Sequence, residues 1–225
     1  MFLISIDTSG RNGSVALCRG DENSFETLQL TALDGGTYSA RLIPAIGEML
    51  ASRQISKEQM DAFVVVSGPG SFTGLRVGIA TVKALCEVLR KPLAAVSMLD
   101  AVAVMRGRAN GRVAVALDAG RGEVYVGEFQ VKNSHATVVR EYIAKLDGFT
   151  HQSALTDLAV LSPDGKVIET LRAGGVAARR VKPLRADDIG RLGWRKLLAG
   201  ETANSAALDA NYIRRSDAEI AAPKR

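Results

Sequence analysis

One segment, residues 62–89, restricts the possible folds of this chain more than any other. It begins with a short apolar run, residues 62–66, rich in β-branched side chains, which is typical of a strand buried on both faces. A turn follows at residues 67–71, because its two glycines and its proline do not fit inside a helix or a central strand. Ser71 or Thr73 can then cap a long helix. The segment therefore predicts a buried strand, a glycine-rich turn and a helix in direct succession.

The turn allows two interpretations. A glycine-rich turn at a helix N-terminus can direct backbone N–H groups at a phosphate, and Ser67, Gly68 and Gly70 would then belong to a nucleotide site. The turn is neither a Walker loop nor a dinucleotide fingerprint, because the lysine of the first and the glycine spacing of the second are missing. A tight connection without any ligand explains the same residues.

The helix after the turn places Gly74, Gly78, Thr81 and Leu85 on one face, at spacings of three and four. Small residues at this spacing leave a shallow groove in the helix surface. The groove can accept a helix of another subunit, or it can serve close packing inside the same domain.

Residues 67–85, SGPGSFTGLRVGIATVKAL, resemble the hallmark segment of the bacterial TsaB (YeaZ) family, the companion subunits of the enzyme that makes threonylcarbamoyladenosine in tRNA. The resemblance covers most of the first 130 residues and the tail at 211–215. It implies an α/β protein with the actin/Hsp70/sugar-kinase-like (ASKHA) superfold. In that fold, two lobes each contain a mixed β-sheet flanked by helices.

The N-terminal residues fit this fold. Strands are predicted at 1–7, 14–19 and 25–30, and the first strand ends on Asp7, followed by Thr8 and Ser9. In the superfold that the resemblance implies, nucleotide phosphates lie against such a turn. The same three residues can also form an Asx-type turn with no ligand.

A second helix is predicted to start at Thr37 or Ser39 and to run to Leu50, with an apolar stripe along it. In the related catalytic family TsaD, two histidines at i and i+4 of this helix bind a metal, since that spacing puts both imidazoles on one face. This helix has none, and the only histidines of the chain are His135 and His151. We therefore predict a partner subunit rather than an enzyme, with no catalytic or metal-binding residues.

The resemblance implies a heterodimer with TsaD, formed by the two helices, and a larger complex with the ATPase subunit TsaE. That complex transfers a threonylcarbamoyl group to N6 of adenosine 37 in ANN-decoding tRNAs, with ATP or ADP and Mg²⁺ in the complex; alone, the chain would form a homodimer. The predicted interface residues are Tyr38, Leu42, Ile46, Met49, Leu50, Gly74, Leu75, Gly78, Thr81 and Leu85.

The alternative function is that of a nucleotide-binding ATPase or kinase of the same superfold. A metallopeptidase finds no support, because a His-Glu-x-x-His motif is missing.

The polar and basic segment 106–112 is the predicted boundary between lobes. The first lobe is expected to comprise residues 1–106 and a returning helix at about 187–200, which carries Trp194. The second comprises 107–186, and 201–225 form a tail. A hairpin is predicted around 118–125, where Asp118, Arg121 and Glu123 either line an interlobe cleft or form weak surface pairs.

Composition supports a cytoplasmic protein without a membrane segment, because no apolar run approaches the roughly 18 residues needed to span a bilayer. Two cysteines, Cys18 and Cys86, lie in apolar patterns and are expected to be buried thiols. Charge is uneven, since residues 172–225 hold 12 Lys and Arg against 6 Asp and Glu. This basic region is compatible with tRNA contact or with an ordinary solvated surface.

Overall fold

The computed structural model describes residues 1–107, 110–133, 135–156, 158–211 and 213. They divide into two compact units. The first contains Met1–Ser97 and Leu184–Asn211, and the second contains Met98–Pro183. Each unit has a five-stranded sheet with helices on its faces. No helix among these residues is long and apolar enough to cross a membrane.

The sheet of the first unit has the strand order β3-β2-β1-β4-β5. Its strands are β1 (Phe2–Asp7), β2 (Asn12–Gly20), β3 (Phe25–Asp34), β4 (Met60–Gly68) and β5 (Leu93–Ser97). Strands β1, β2 and β3 form an antiparallel meander, whereas β4 and β5 run parallel to β1. The helices α1 (Tyr38–Ser52) and α2 (Phe72–Leu89) connect these strands, and a short 3₁₀ helix, Lys57–Gln59, precedes β4.

The second unit repeats this connectivity. Its strands are β6 (Gly111–Gly120), β7 (Glu123–Lys132), β8 (His135–Lys145), β9 (Val160–Ser162) and β10 (Ala178–Arg180), in the order β10-β9-β6-β7-β8. Three antiparallel strands are again followed by two parallel ones. The connecting helices are α4 (Leu146–Ala154) and α5 (Gly165–Ala173). The two sheets flanked by helices confirm the predicted α/β architecture.

The core of the first unit lies on both faces of its sheet. Strand β4 is buried almost throughout, as its continuous apolar run predicts. One face is covered by α1 and α2 and the other by α6 (Ala186–Leu198), which packs on β1, β2, β4 and β5. Trp194 of α6 is 3% exposed, and its indole N–H donates to the carbonyl oxygen of Asp21 at 3.1 Å. This tryptophan fixes the returning helix on the first sheet.

The division between the units does not fall at residue 106, where the polar segment predicted it. Helix α3 (Met98–Arg106) packs on β6, β7 and β8 and belongs to the second unit, so the division follows Ser97. Its residues Leu99, Ala101 and Ala103 are fully buried there. The predicted boundary lies too late in the chain, because the polar stretch marks only an exposed loop. The boundary depends instead on helix α3 before that loop, whose apolar face covers the sheet of the second unit. The tail from residue 214 lies outside the described residues.

Candidate functional site

The end of β1 and the glycine-rich turn before α2 lie directly against each other. A Cβ atom added at Gly70 would be 2.3 Å from the carbonyl oxygen of Ser9, and one at Gly74 would be 2.0 Å from that of Thr8. At Gly78 it would be 2.3 Å from the hydroxyl of Thr8. These distances are far below van der Waals contact. Gly70 and Gly74 therefore allow backbone to pack on backbone, and Gly78 leaves room for the Thr8 side chain, all within one unit. This corrects the prediction that Gly74 and Gly78 form a groove for a partner helix.

Hydrogen bonds hold the two segments together. The hydroxyl of Thr8 donates to the carbonyl oxygen of Gly74 at 2.8 Å, and the N–H of Ser71 donates to the carbonyl oxygen of Ser9 at 2.7 Å. Ser71 is also the N-cap of α2, since its hydroxyl accepts the N–H of Gly74 at 3.3 Å. Of the two candidate caps, Ser71 is the one used.

Asp7 occupies the centre of this arrangement and is only 4% exposed. Its Oδ1 accepts two hydrogen bonds from Ser9, from the N–H at 2.9 Å and from the hydroxyl at 2.7 Å, so the Asx-type turn is present. Burial raises the pKa of Asp7, although both hydrogen bonds from Ser9 act in the opposite direction. Burial therefore disfavours the ionised form of the Asp7 side chain.

Ser67 and Gly68 contact a later part of the first unit. The carbonyl oxygen of Ser67 accepts the N–H of Asn211 at 2.7 Å. Gly68 has a φ of +125°, and a Cβ atom there would lie 2.8 Å from the carbonyl oxygen of Asn211. Glycine is thus needed at position 68 for both its conformation and its close contact. The six residues predicted as a nucleotide site do lie together, and whether they bind a nucleotide stays a prediction.

Tyr38, the first residue of α1, joins this helix to the β1–β2 turn. Its hydroxyl donates to the carbonyl oxygen of Gly10 at 2.6 Å, and its ring lies so close to Gly13 that a Cβ atom there would be 2.6 Å from Cε1. The side chain is 5% exposed. Burial, with the nearby Asp7 carboxylate, raises the pKa of Tyr38 to about 12. Tyr38 is a structural contact inside the first unit.

We expect Tyr38→Phe to lower the free energy of unfolding by about 1 kcal/mol, because the Gly10 carbonyl loses its buried donor while the ring keeps its packing. Urea unfolding at pH 7 measures this loss. In the unfolded chain a tyrosine hydroxyl ionises near its ordinary value of about 10, below the folded value. The stabilisation by Tyr38 is therefore complete below pH 10 and is lost as the pH rises towards about 12. An unchanged unfolding curve for the variant would contradict the role of this hydrogen bond.

The apolar stripe of α1 faces the core and not a partner, contrary to the prediction. Leu42 is 1% exposed and Met49 is fully buried. Tyr38, Ile46, Leu50 and, from α2, Leu75 are likewise buried, at 9% exposure or less. Only Thr81 and Leu85 of the predicted interface are partly exposed. An apolar stripe shows which face of a helix leaves water, but not whether its own sheet or another chain covers it.

The outer faces of both helices carry a second row of residues, which lies outside the predicted interface. On α1 the row consists of Ala40, Ile43, Gly47 and Ala51, and on α2 of Thr73, Val77, Ala80, Ala84 and Val88. Spacings of three and four put each set on one side of its helix. Ile43 is 54% and Val88 75% exposed. We call these nine residues the outer face. None of them carries a charge, and most are small, which permits a close approach by another chain.

The hairpin residues predicted for the interlobe cleft form local contacts. Glu123 pairs with Lys145 of the neighbouring strand at 3.0 Å, and Asp118 accepts the N–H of Gly120 at 2.9 Å. The backbone N–H of Asp118 donates to Asp164 at 2.9 Å. Arg121 has a φ of +57° at the tip of the turn. Within the described part of the chain, His, Cys, Asp and Glu side chains do not gather in groups of three or more that could hold a metal ion.

Comparison with known proteins identifies a family and several relatives of this chain. A family model described as TsaD, tRNA N6-adenosine threonylcarbamoyltransferase, matches residues 35–184. The chain is 34% identical over 133 residues to the tRNA threonylcarbamoyladenosine biosynthesis protein TsaB of Bacillus subtilis, a match that covers 59% of this chain and 57% of that protein. It is 36% identical over 134 residues to TsaB of Escherichia coli, with 58% and 55% covered. The matches thus span little more than half the length of these curated relatives.

Two solved structures resemble this chain over most of its length. The structure of YeaZ from Pseudomonas aeruginosa superimposes with a TM-score of 0.71 and 26% identity, and the match covers 93% of this chain and 100% of that one. The activator of 2-hydroxyisocaproyl-CoA dehydratase from Clostridium difficile superimposes with a TM-score of 0.51 at 8% identity, covering 91% of this chain and 99% of that one. The second match shows a shared fold alone, and the predicted ASKHA-type fold is thereby confirmed.

Proposed function

The chain belongs to the TsaD family, tRNA N6-adenosine threonylcarbamoyltransferase, and we propose that within it the chain acts as a non-catalytic partner subunit. The predicted resemblance to TsaB (YeaZ) is confirmed by the curated relatives and by the structural match. The proposed role is to form a heterodimer with TsaD and to support transfer of a threonylcarbamoyl group to N6 of adenosine 37 in ANN-decoding tRNAs. TsaE, tRNA, ATP or ADP and Mg²⁺ would join through the complex, in the cytoplasm.

The outer face of α1 and α2 is the observation that carries this proposal. Most large apolar side chains of both helices are buried inside the first unit, whereas Ile43 and Val88 of the outer face are exposed and available to a partner. The nine residues of the outer face are uncharged, as the centre of a stable protein interface usually is, and exposed charged residues such as Arg76 and Glu87 adjoin it as a polar rim does. A second pair of helices lying on it would form a four-helix arrangement. An interface of this kind is expected to bury more than about 1,200 Å² in total. In the absence of TsaD the same face would pair two copies of the chain.

Helix α1 also supports a role without catalysis. It contains no histidine, and Tyr38 and Leu42, which are four residues apart at its start, are buried in the core at 5% and 1% exposure. The family resemblance puts the metal-binding histidines of TsaD on this helix. Here the same helix contributes apolar packing and the hydrogen bond from Tyr38 to Gly10.

Association with TsaD tests the proposal directly. The chain and the TsaD of the same organism, mixed at micromolar concentrations, should elute together from a sizing column ahead of either protein alone. Separate elution at every concentration would contradict a partner role. The chain on its own should shift towards a dimer as its concentration rises, since the outer face is then uncovered.

Asp7 favours one alternative function, a nucleotide-binding ATPase or kinase. A buried acidic side chain whose pKa is raised by desolvation, as that of Asp7 is, is a common feature of functional sites. It lies beside the turn that contains Gly68 and Gly70, at the N-terminus of α2. Titration calorimetry with ATP and Mg²⁺ distinguishes the two functions. Binding that is lost in Asp7→Asn supports the nucleotide function, and no heat at millimolar ATP excludes it.

We expect Asp7→Asn to raise the midpoint of thermal unfolding at pH 7. The folded protein raises the pKa of this carboxyl, so its ionised form costs stability at any pH above that raised value. Asparagine keeps an oxygen that accepts both bonds from Ser9 but carries no charge to desolvate. The difference between the two proteins should shrink as the pH falls towards the ordinary aspartate value of about 4. A lower midpoint for the variant at pH 7 would show that the charge of Asp7 stabilises the first unit.

A further inference from the structure

A cavity of about 440 Å³ lies within the second unit. It takes no residue from the outer face or from the turn around Asp7. Its walls combine charged and apolar side chains, among them Arg112, Glu128, Arg140, Tyr142, Phe149 and Leu158. Small-molecule sites in proteins usually measure about 300–1,000 Å³ and pair apolar walls with a few polar groups. The cavity has both the size and the composition of such a site.

The strand register explains why the charged side chains meet. Glu128 on β7 is directly opposite Arg140 on β8, and Tyr142 follows Arg140 by two residues on the same face. On the other side, Glu128 is opposite Ala114 of β6, and Arg112 precedes Ala114 by two residues. All four polar residues therefore project from one face of the sheet. The same face carries Val124 and Val126, which α4 covers.

Glu128 is a buried carboxylate that accepts hydrogen bonds from two side chains, Arg140 and Tyr142. It is 6% exposed, and its Oε1 accepts hydrogen bonds from Nε and Nη2 of Arg140 at 2.9 and 2.6 Å. The hydroxyl of Tyr142 donates to the same oxygen at 3.3 Å, and burial raises the pKa of Tyr142, so this hydroxyl keeps its proton at neutral pH. Arg140 also lies over the ring of Tyr142, 4.9 Å from its centroid. These three side chains form a fixed wall of the cavity.

Arg112 is placed differently from Arg140. Its Nη2 is 3.7 Å from Oε2 of Glu128, which is an ion pair but too long for a hydrogen bond. The Arg112 side chain is 62% exposed at the mouth of the cavity. A guanidinium presents five donors in a planar fork that fits the two oxygens of a carboxylate or a phosphate. Arg112 can therefore turn its fork to a bound anion while Arg140 holds Glu128.

We propose that this cavity binds a small organic anion through Arg112, with the apolar part of the ligand against Phe149 and Leu158. Among the charged side chains named above, two guanidiniums face one carboxylate, so the wall carries one excess positive charge. A carboxylate and a phosphate monoester share the oxyanion chemistry that this fork recognises. The ligand is an aromatic or branched compound of this class, since a purely inorganic anion would leave the apolar wall uncovered.

Backbone amide NMR of the full chain with sodium benzoate, phenyl phosphate and uncharged benzyl alcohol tests the proposal. At ~10 mM probe, a concentration that detects millimolar affinity, one or both anions should shift the amides of Arg112, Glu128 and Gln152. Which anion binds more tightly distinguishes a carboxylate ligand from a phosphate ligand. Benzyl alcohol, which has the same ring without the charge, should leave these amides unshifted. The absence of shifts with both anions, or equal shifts with the alcohol, would overturn the proposal.

Matched variants separate this site from a general attraction to positive charge. Arg112→Gln should weaken anion binding at least about 10-fold, the range expected for one charge-assisted hydrogen-bonding group. Arg19→Gln removes another half-exposed arginine that also pairs with a glutamate, Glu26, and should leave the binding unchanged. Glu128→Gln keeps an acceptor for Arg140 but removes the repulsive charge, so it should tighten anion binding. Equal losses in Arg112→Gln and Arg19→Gln would contradict the assignment of the site.

Discussion

Ala84→Arg is expected to abolish the proposed complex with TsaD and, with it, formation of threonylcarbamoyladenosine, while the chain itself stays folded. Ala84 is exposed on α2, in the middle of the outer face between Ala80 and Val88. An arginine there would bring a bulky charge into the centre of the proposed interface, where the cost of removing that charge from water is not compensated. We expect the affinity for TsaD to fall at least about 100-fold. Calorimetry or a sizing column with TsaD measures the loss.

The control for this variant is Ala173→Arg. Ala173 is also an exposed alanine on a helix, the last residue of α5, but it lies in the second unit and outside the outer face. It should bind TsaD like the original chain. The melting temperature of both variants should stay within a few degrees of the original, because neither side chain is buried. An unchanged affinity of Ala84→Arg for TsaD would contradict the proposal that the outer face binds TsaD.

Gly74→Ala is expected to have the largest effect on stability, a loss of about 3 kcal/mol. The added methyl group would lie 2.0 Å from the carbonyl oxygen of Thr8, and backbone there cannot move aside without breaking the contact between the end of β1 and α2. The bond from the Thr8 hydroxyl to the Gly74 carbonyl, now 2.8 Å, would be strained as well. For a chain of this size the loss corresponds to a thermal midpoint lower by roughly 10 °C.

Gly47→Ala is the matched control, since Gly47 is also a glycine inside a helix. A Cβ atom at Gly47 meets nothing within 4 Å, so alanine gains helix propensity without a clash. This variant should gain about 0.5–1 kcal/mol. Opposite signs for the two substitutions, measured by urea unfolding, are the expected result. A neutral Gly74→Ala would show that the tight contact between Thr8 and α2 can relax freely.

The strand–turn–helix segment shows what could be predicted from the sequence. The apolar run before Ser67, the glycine-rich turn and the cap at Ser71 each have a local physical cause, and the structure contains all three. The neighbour that packs against Gly74 and Gly78 could not be predicted in the same way. A small residue on a helix face permits a close approach, but its identity does not tell whether the neighbour is another chain or, as here, Thr8 of the same unit.

The second unit illustrates the limit for the fold. Helices α4 and α5 were not predicted from the sequence, yet the strand order and connections of the second unit repeat those of the first. The connectivity depends on which apolar faces of helices and sheets pack together. Many different apolar side chains allow the same packing, so two units can share a connectivity without sharing a sequence pattern. The cavity beside Glu128 was missed for a related reason. Arg112, Glu128 and Arg140 are distant in the sequence and are brought together only by the register of three strands.

A reconstituted modification reaction tests the proposed partner role most directly. Unmodified tRNA, threonylcarbamoyl-adenylate, ATP, TsaD and TsaE would be combined with and without this chain, and threonylcarbamoyladenosine would be measured by mass spectrometry of the digested tRNA. The proposal predicts product when the chain is present, little or none when it is omitted, and none when Ala84→Arg replaces it. Equal amounts of product with and without the chain would contradict its role as a required subunit.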